Sequence, residues 1–323
     1  MDNEFFFAYS VGSVMLGYEI SKGAKDDATQ RKMAGALSDR LSIVREAFPE
    51  RADDLRVARK AVDVMPHLDK SAAIKLMIEL AFAEPFGQTA VKINSADLIA
   101  ALKAVAAKQD LTGDELTHIL SVRDQAVTVH KAGNDWWKAG LGLAGGMVLL
   151  APLAFVAAPI IGTVIGVSYL GLAGAAATSA GLALLGGGSL AAGGMGMAGG
   201  AWLIAGLGAA AGAAAGGGAG LLVQKLGSAE LRQSVIMAQM THQLVTLEQD
   251  NDLEAAEAAV AALEERREPL FEEQRRLRND SKPDILQHKE FSELDKKIES
   301  LGRGITWIQE RTRLWDTGVA GGQ

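Results

Sequence analysis

Few residue patterns in this chain have the types and spacing for chemistry. Gly194-Met195-Gly196-Met197-Ala198-Gly199 has the G-x-G-x-x-G form whose glycines let a backbone approach a pyrophosphate. Gly140-Leu141-Gly142-Leu143-Ala144-Gly145 has it too, neither follows a strand-like run, and no acidic residue for a ribose appears before Glu230. A nucleotide site is not expected. Gly187-Gly188-Ser189-Leu190-Ala191 lacks the final glycine of a nucleophile elbow, and the alternating strands and helices that would strain its serine. His67, His118, His130, His242 and His288 are too scattered for metal-ligand spacing and read as solvated or partly buried surface side chains. Glu79, Glu84 and Asp110 could converge in a helical bundle, but charge on a helix face is usually its wet side. The chain is therefore read as non-enzymatic, with no catalytic, cofactor-binding or metal residues.

The elements around these patterns carry more information. Charged residues make up 22% of the 323-residue chain, and its formal net charge is -7. That charge argues against affinity gained from phosphate contacts, so nucleic acid is not an expected partner. Cys is absent, which excludes disulfides and thiolate metal sites. Met1-Asp2-Asn3-Glu4 places acidic residues where a secretory signal needs basic ones, so no export signal is expected. The decisive feature is a gap: between Lys138 and Lys225 no Asp, Glu, Lys, Arg or His occurs. Soluble cores rarely run so far without charge, because some face of each element must meet water.

This gap divides the chain into a soluble helical bundle over 1–135, a glycine-rich hydrophobic segment over 136–225, charged helices over 226–317 and a flexible tail over 318–323. In the first region Pro49, Pro66 and Pro85 mark helix boundaries. Ile74, Met77, Ile78 and Ala81 recur at helical spacing, as do Leu98, Leu102 and Val105. Thr112 and Glu115 have capping-box spacing ahead of Leu116, Ile119, Leu120 and Val127. After Lys225, a helix is expected over about 229–247, then an antiparallel coiled-coil hairpin turning at Asn279-Asp280-Ser281-Lys282-Pro283-Asp284. Its first arm carries Leu253, Ala256, Val260, Leu263, Leu270 and Leu277, interrupted by Arg267 and Gln274 and with Pro269 expected to kink it. The second arm's seam is Phe291, Leu294, Ile298, Leu301, Ile305 and Ile308, continuing to Trp315 with only Thr312 polar.

The uncharged stretch has room for at most about four bilayer crossings of about 20 residues each. Candidate helices run over about 140–157, 159–175, 177–188 and 200–223. Glycines are its second signature, since about two-thirds of the chain's 37 lie here. Gly208, Gly212, Gly216 and Gly220 stand four apart, Gly196 and Gly200 extend the row, and Gly142 with Gly146 and Gly162 with Gly166 give shorter copies. In water each would cost a helix about 1 kcal/mol relative to Ala, whereas in lipid such a row lets helices approach closely. Trp136, Trp137 and Lys138 before the stretch, and Lys225 after it, suit headgroup depth. Basic residues at both ends favour an even number of crossings with both soluble domains on the cytoplasmic side.

Two resemblances accompany these residues. Ala81-Phe82-Ala83-Glu84 and Gln109-Asp110-Leu111-Thr112-Gly113-Asp114-Glu115-Leu116 resemble helix ends of the tellurite-resistance-B-like helical fold over about 68–120. That family's Ala-Asp-Gly turn is replaced by Glu84-Pro85-Phe86-Gly87, so the resemblance implies a fold and carries no metal site. The layout of a marginally hydrophobic glycine-rich region between charged helices resembles that of helical pore-forming proteins.

The fold class expected is all-α, with an N-terminal bundle, transmembrane-competent central helices and a C-terminal coiled-coil hairpin. The function expected is insertion into a bilayer, which it perturbs or permeabilises, as a bacterial toxin, defence or stress effector would. The partners are then the lipid bilayer, further copies of the chain in a homo-oligomer, and a protein bound through the hairpin. The location is the inner or cytoplasmic membrane, reached constitutively or from the cytoplasm. The alternative is a constitutive membrane scaffold anchoring two cytoplasmic domains. An enzyme built on the N-terminal bundle is a third reading, and it requires a bound metal or polar pocket.

Overall fold

The computed structural model describes residues 3–51, 54–83, 85–86, 91, 93–130, 228–279 and 285–318. Among them every regular element is helical. They fall into two compact units, one within 3–121 and one formed by 122–130 with the C-terminal helices. The division falls inside a helix. The glycine row, Trp136, Trp137, Lys138 and Lys225 lie outside the described residues, as does the 318–323 tail beyond Gly318.

The first unit is built around α1 (Asn3–Ser21). Its Phe5, Phe7, Tyr9, Val11, Val14, Met15, Leu16 and Ile20 are all buried, together with Ser10 and Ser13. A helix apolar on every side must be enclosed by others. Around α1 pack α2 (Asp27–Ala47), the short α3 (Ala61–Val64), α4 (Lys70–Leu80) and α5 (Ser95–Lys108). Gly17 sets how closely they approach: a Cβ there would stand 2.6 Å from Leu37 Cδ2 and 2.9 Å from Pro85 Cβ. The buried Arg40 on α2 donates to Ser13 of α1.

Local chemistry sets the helix ends. Asp26, Asp69 and Asn94 accept from the backbone N–H groups of Thr29, Ala72 and Asp97, starting α2, α4 and α5. The capping box expected at α6 (Gly113–Val129) is present: Thr112 N–H donates to Glu115 at 2.7 Å, and Glu115 N–H donates to Thr112 Oγ1 at 3.2 Å. Lys70, bonded to the Glu115 carboxylate, and the Thr112 N–H hold that group below its ordinary pKa. Each proline follows a helix end as expected, with α2 stopping at Ala47, α3 at Val64 and α4 at Leu80.

The second unit comprises the end of α6, α7 (Ser228–Thr241) with a π-helical continuation His242–Leu247, α8 (Leu253–Asn279) and α9 (Ile285–Asp316). Arms α8 and α9 are antiparallel, because their contacts run in opposite order. Glu264 accepts from Gln309, Gln274 donates to Asp295, and Arg278 stands over the ring of Phe291. In the second arm Leu294, Ile298, Leu301, Ile305 and Ile308 are buried, while Phe291 and Trp315 are half-buried. The hairpin does not stand alone, because α7 packs against α9. Gly304 allows this approach, since a Cβ there would stand 2.2 Å from Val235 Cγ1. Helix α8 is continuous through Pro269.

No helix among the described residues is long and apolar enough to cross a membrane. Helix α1, at 19 residues, has the length but is not apolar enough, and its apolar side chains are buried inside the first unit.

Candidate functional site

The polar groups that stand out lie inside the second unit. Helix α7 and its continuation place Ser234, Gln239, Thr241, His242, Gln243 and Thr246 in buried positions among Val235, Met237, Met240, Leu244 and Val245. A π-helical turn is rare and tends to occur at functional sites, because its extra residue re-aims the side chains that follow. Here it begins at His242 and ends in a loop whose left-handed corner is Asn251 (φ 50°). Asn251 Oδ1 accepts from Trp315 Nε1 at 2.8 Å.

Two histidines anchor this seam. His130, directly after α6, is 4% exposed; its Nε2 lies 2.9 Å from Gln239 Oε1 and its Nδ1 lies 3.4 Å from Ser300 Oγ. Those partners fit a neutral ring that donates from Nε2 and accepts at Nδ1. Burial pushes the His130 pKa down to about 4; Gln239 opposes the shift, Arg232 and Arg303 add to it, and Glu299 partly offsets them. Arg303 also donates to the Val129 carbonyl at 2.8 Å and to Glu299 at 2.5 Å, tying the end of α6 to α9.

His242 is 2% exposed, and its Nε2 lies 2.9 Å from Thr312 Oγ1. Because the Thr312 hydroxyl donates to the Ile308 carbonyl at 3.0 Å, it accepts from His242. The other ring nitrogen, Nδ1, is buried with no partner among the described residues, and so are Gln239 Nε2, Thr241 Oγ1 and Gln243 Oε1. Burial alone pushes the His242 pKa down to about 4. Unmade bonds of this kind cost about 1–3 kcal/mol each, so the seam is held in place by the apolar packing around it.

The histidines of the sequence reading are thereby corrected in part. His67, which faces Asp110 at 3.6 Å, and His118 are exposed as expected, but His130 and His242 are core residues. Sequence offered two signals for them: Thr312 is the one polar residue in the second arm's seam, and Gln239 interrupts an apolar run. Of the acidic trio, Glu79 is buried in the first unit, where burial raises its pKa well above the usual range. Asp110 is an exposed left-handed corner (φ 53°), and Glu84 lies outside the described residues. Among the described residues no group of three His, Cys, Asp or Glu side chains could hold a metal ion.

An open cleft of about 620 Å³ near the reversal of the hairpin is lined by both signs of charge, Glu273, Arg276, Lys289, Glu290, Glu293 and Lys297. Among the described residues its lining carries acidic and basic side chains in equal number. Family models, curated proteins and solved structures yield no match to this chain.

Proposed function

We propose that the chain is a non-enzymatic protein whose glycine-rich segment enters a lipid bilayer and perturbs or permeabilises it. The observation that carries this reading is the run from 139 to 224 without one Asp, Glu, Lys, Arg or His, in a protein otherwise rich in charge. Transfer of its apolar surface into hydrocarbon supplies the driving force, at roughly 25 cal/mol per Å². Close packing along Gly208, Gly212, Gly216 and Gly220, and along the pairs Gly142/Gly146 and Gly162/Gly166, then favours helix association and a homo-oligomer. Trp136, Trp137, Lys138 and Lys225 set the depth of the segment at the headgroups.

The abundance of Ala and Gly over Leu and Ile makes insertion only marginally favourable, which suits conditional entry better than permanent residence. The flanks supply control and assembly: the first unit shields or senses, and the hairpin offers its charged outer face to a protein partner. A toxin, defence or stress effector at the cytoplasmic membrane has this logic.

The test is dye release from liposomes by the full chain, wild type against Gly212→Leu/Gly216→Leu. Wild-type protein should release dye and the variant should lose at least tenfold in rate. Permanent membrane residence under alkaline carbonate extraction, with no dye release, would replace this reading with that of a constitutive scaffold.

A further inference from the structure

His130 and Gln239 stand on opposite sides of the uncharged segment: His130 closes the described chain before it, and Gln239 lies on the first helix described after it. Their contact at 2.9 Å therefore joins the two ends between which that segment is strung. Ser300 and Arg303 fasten the same point to α9, through His130 Nδ1 and the Val129 carbonyl. Three residues beyond Gln239, His242 makes a second contact with α9 at Thr312. Both contacts are built from neutral imidazoles in a buried seam that already leaves four polar atoms without partners among the described residues.

We propose that His130–Gln239–Ser300 and His242–Thr312 form an acid-released latch, in which protonation of the two rings loosens α7 and the end of α6 from α9 and frees both ends of the uncharged segment. The latch is the trigger for the membrane entry proposed above and rests on that reading for its purpose.

Protonation acts differently on the two rings. At His130 both nitrogens would still find an acceptor, Gln239 Oε1 and Ser300 Oγ. The cost there is a buried charge facing Arg232 of α7 and Arg303 of α9, offset in part by the Gln239 hydrogen bond and by Glu299 of α9. At His242 the new N–H would arise at Nδ1, where no acceptor stands among the described residues. Glu248, at the end of the same turn, is engaged by Gln243, and on α9 Arg311, beside Thr312, bonds to Gln125 and stacks on Trp307. Among the described residues no ionisable group of α7, α8 or α9 contributes to the position of the His242 pKa. An isolated buried imidazolium is relieved by opening of the structure around it.

Hydrogen exchange of the full chain in solution, without lipid and corrected for intrinsic rates, tests the latch. With folded pKa values of about 4 against an ordinary 6.5, each histidine should shift the opening equilibrium about 20-fold between pH 7 and pH 5. Peptides from 122–130, 228–247 and 298–312 should lose protection together, while those from 3–21 and 70–80 keep theirs. His130→Gln/His242→Gln should remove the response, and His67→Gln/His118→Gln should leave it intact. Undiminished wild-type protection at pH 5, or an unaltered acid response in the first variant, overturns the latch.

If that variant does not fold, a histidine NMR titration of the wild type decides instead. Buried rings that titrate near the ordinary value with structure intact overturn the proposal, while rings that stay neutral until the fold opens support it. Vesicle flotation at both pH values separates the two claims. Acid-opened protein that ignores vesicles keeps the latch and removes the membrane reading. Vesicle binding indifferent to pH, with protection retained, does the reverse.

Discussion

The two helical units bury titratable side chains whose pKa values burial moves in opposite directions. The first encloses the Glu79 carboxyl, whose pKa burial raises, and the second encloses His130 and His242, whose pKa values burial lowers to about 4. A raised folded pKa gives stability that is complete below the ordinary carboxyl value and is lost as pH rises through the folded one. A lowered histidine pKa gives stability that is present above about 6.5 and is lost as pH falls toward 4. Acid therefore favours the Glu79 site of the first unit and strains the histidine sites of the second, by about 3 kcal/mol per histidine at full effect. Similar helical packing thus gives buried groups whose contributions to stability change in opposite directions with pH.

The sharpest way to break this comparison is to loosen either unit independently of pH. Gly304→Leu forces a side chain onto Val235, whose branched Cγ1 stands 2.2 Å from the new Cβ. It should cost the second unit at least about 3 kcal/mol, and hydrogen exchange at neutral pH should show protection lost in 228–247 and 298–312 with 3–21 unaffected. Gly17→Leu is its counterpart in the first unit. The contact there is with the flexible end of Leu37 and with Pro85, so the expected cost is smaller, about 2 kcal/mol, and falls on 3–21 and 70–80.

A finer probe is Glu79→Gln, which keeps the shape and removes the titration. Denaturant unfolding of the first unit should become more stable at pH 8, remain unchanged at pH 4, and lose its pH dependence between. An unaltered pH profile would mean that the carboxyl does not govern that unit.

What could be read from the sequence followed the range of each interaction. The Thr112–Glu115 box and the proline boundaries depend on residues within a turn of one another, and they stand where expected. The buried row Leu294, Ile298, Leu301, Ile305 and Ile308 belongs to the same class, since a heptad declares itself in one helix. Helix α1 was harder to place at the centre, because a helix buried on all sides has no polar face to give it a period. The second packing face of α9, made through Gly304 and Val235, was hidden because its residues are 69 positions apart. The histidine seam was hidden for the same reason, its partners lying 109 and 170 positions from His130. A ring's burial is set by what folds over it, and no local spacing records that.

The central claim, that 139–224 exchanges its surroundings for hydrocarbon, has a direct test made simple by the absence of native cysteine. Ala210→Cys, labelled with an environment-sensitive fluorophore in the full chain, reports polarity within the glycine row. Addition of liposomes at pH 5 should shift its emission to the blue and make it quenchable by labels placed in the lipid tails. Emission that ignores vesicles at both pH 5 and pH 7, with no quenching from the bilayer, would contradict the account.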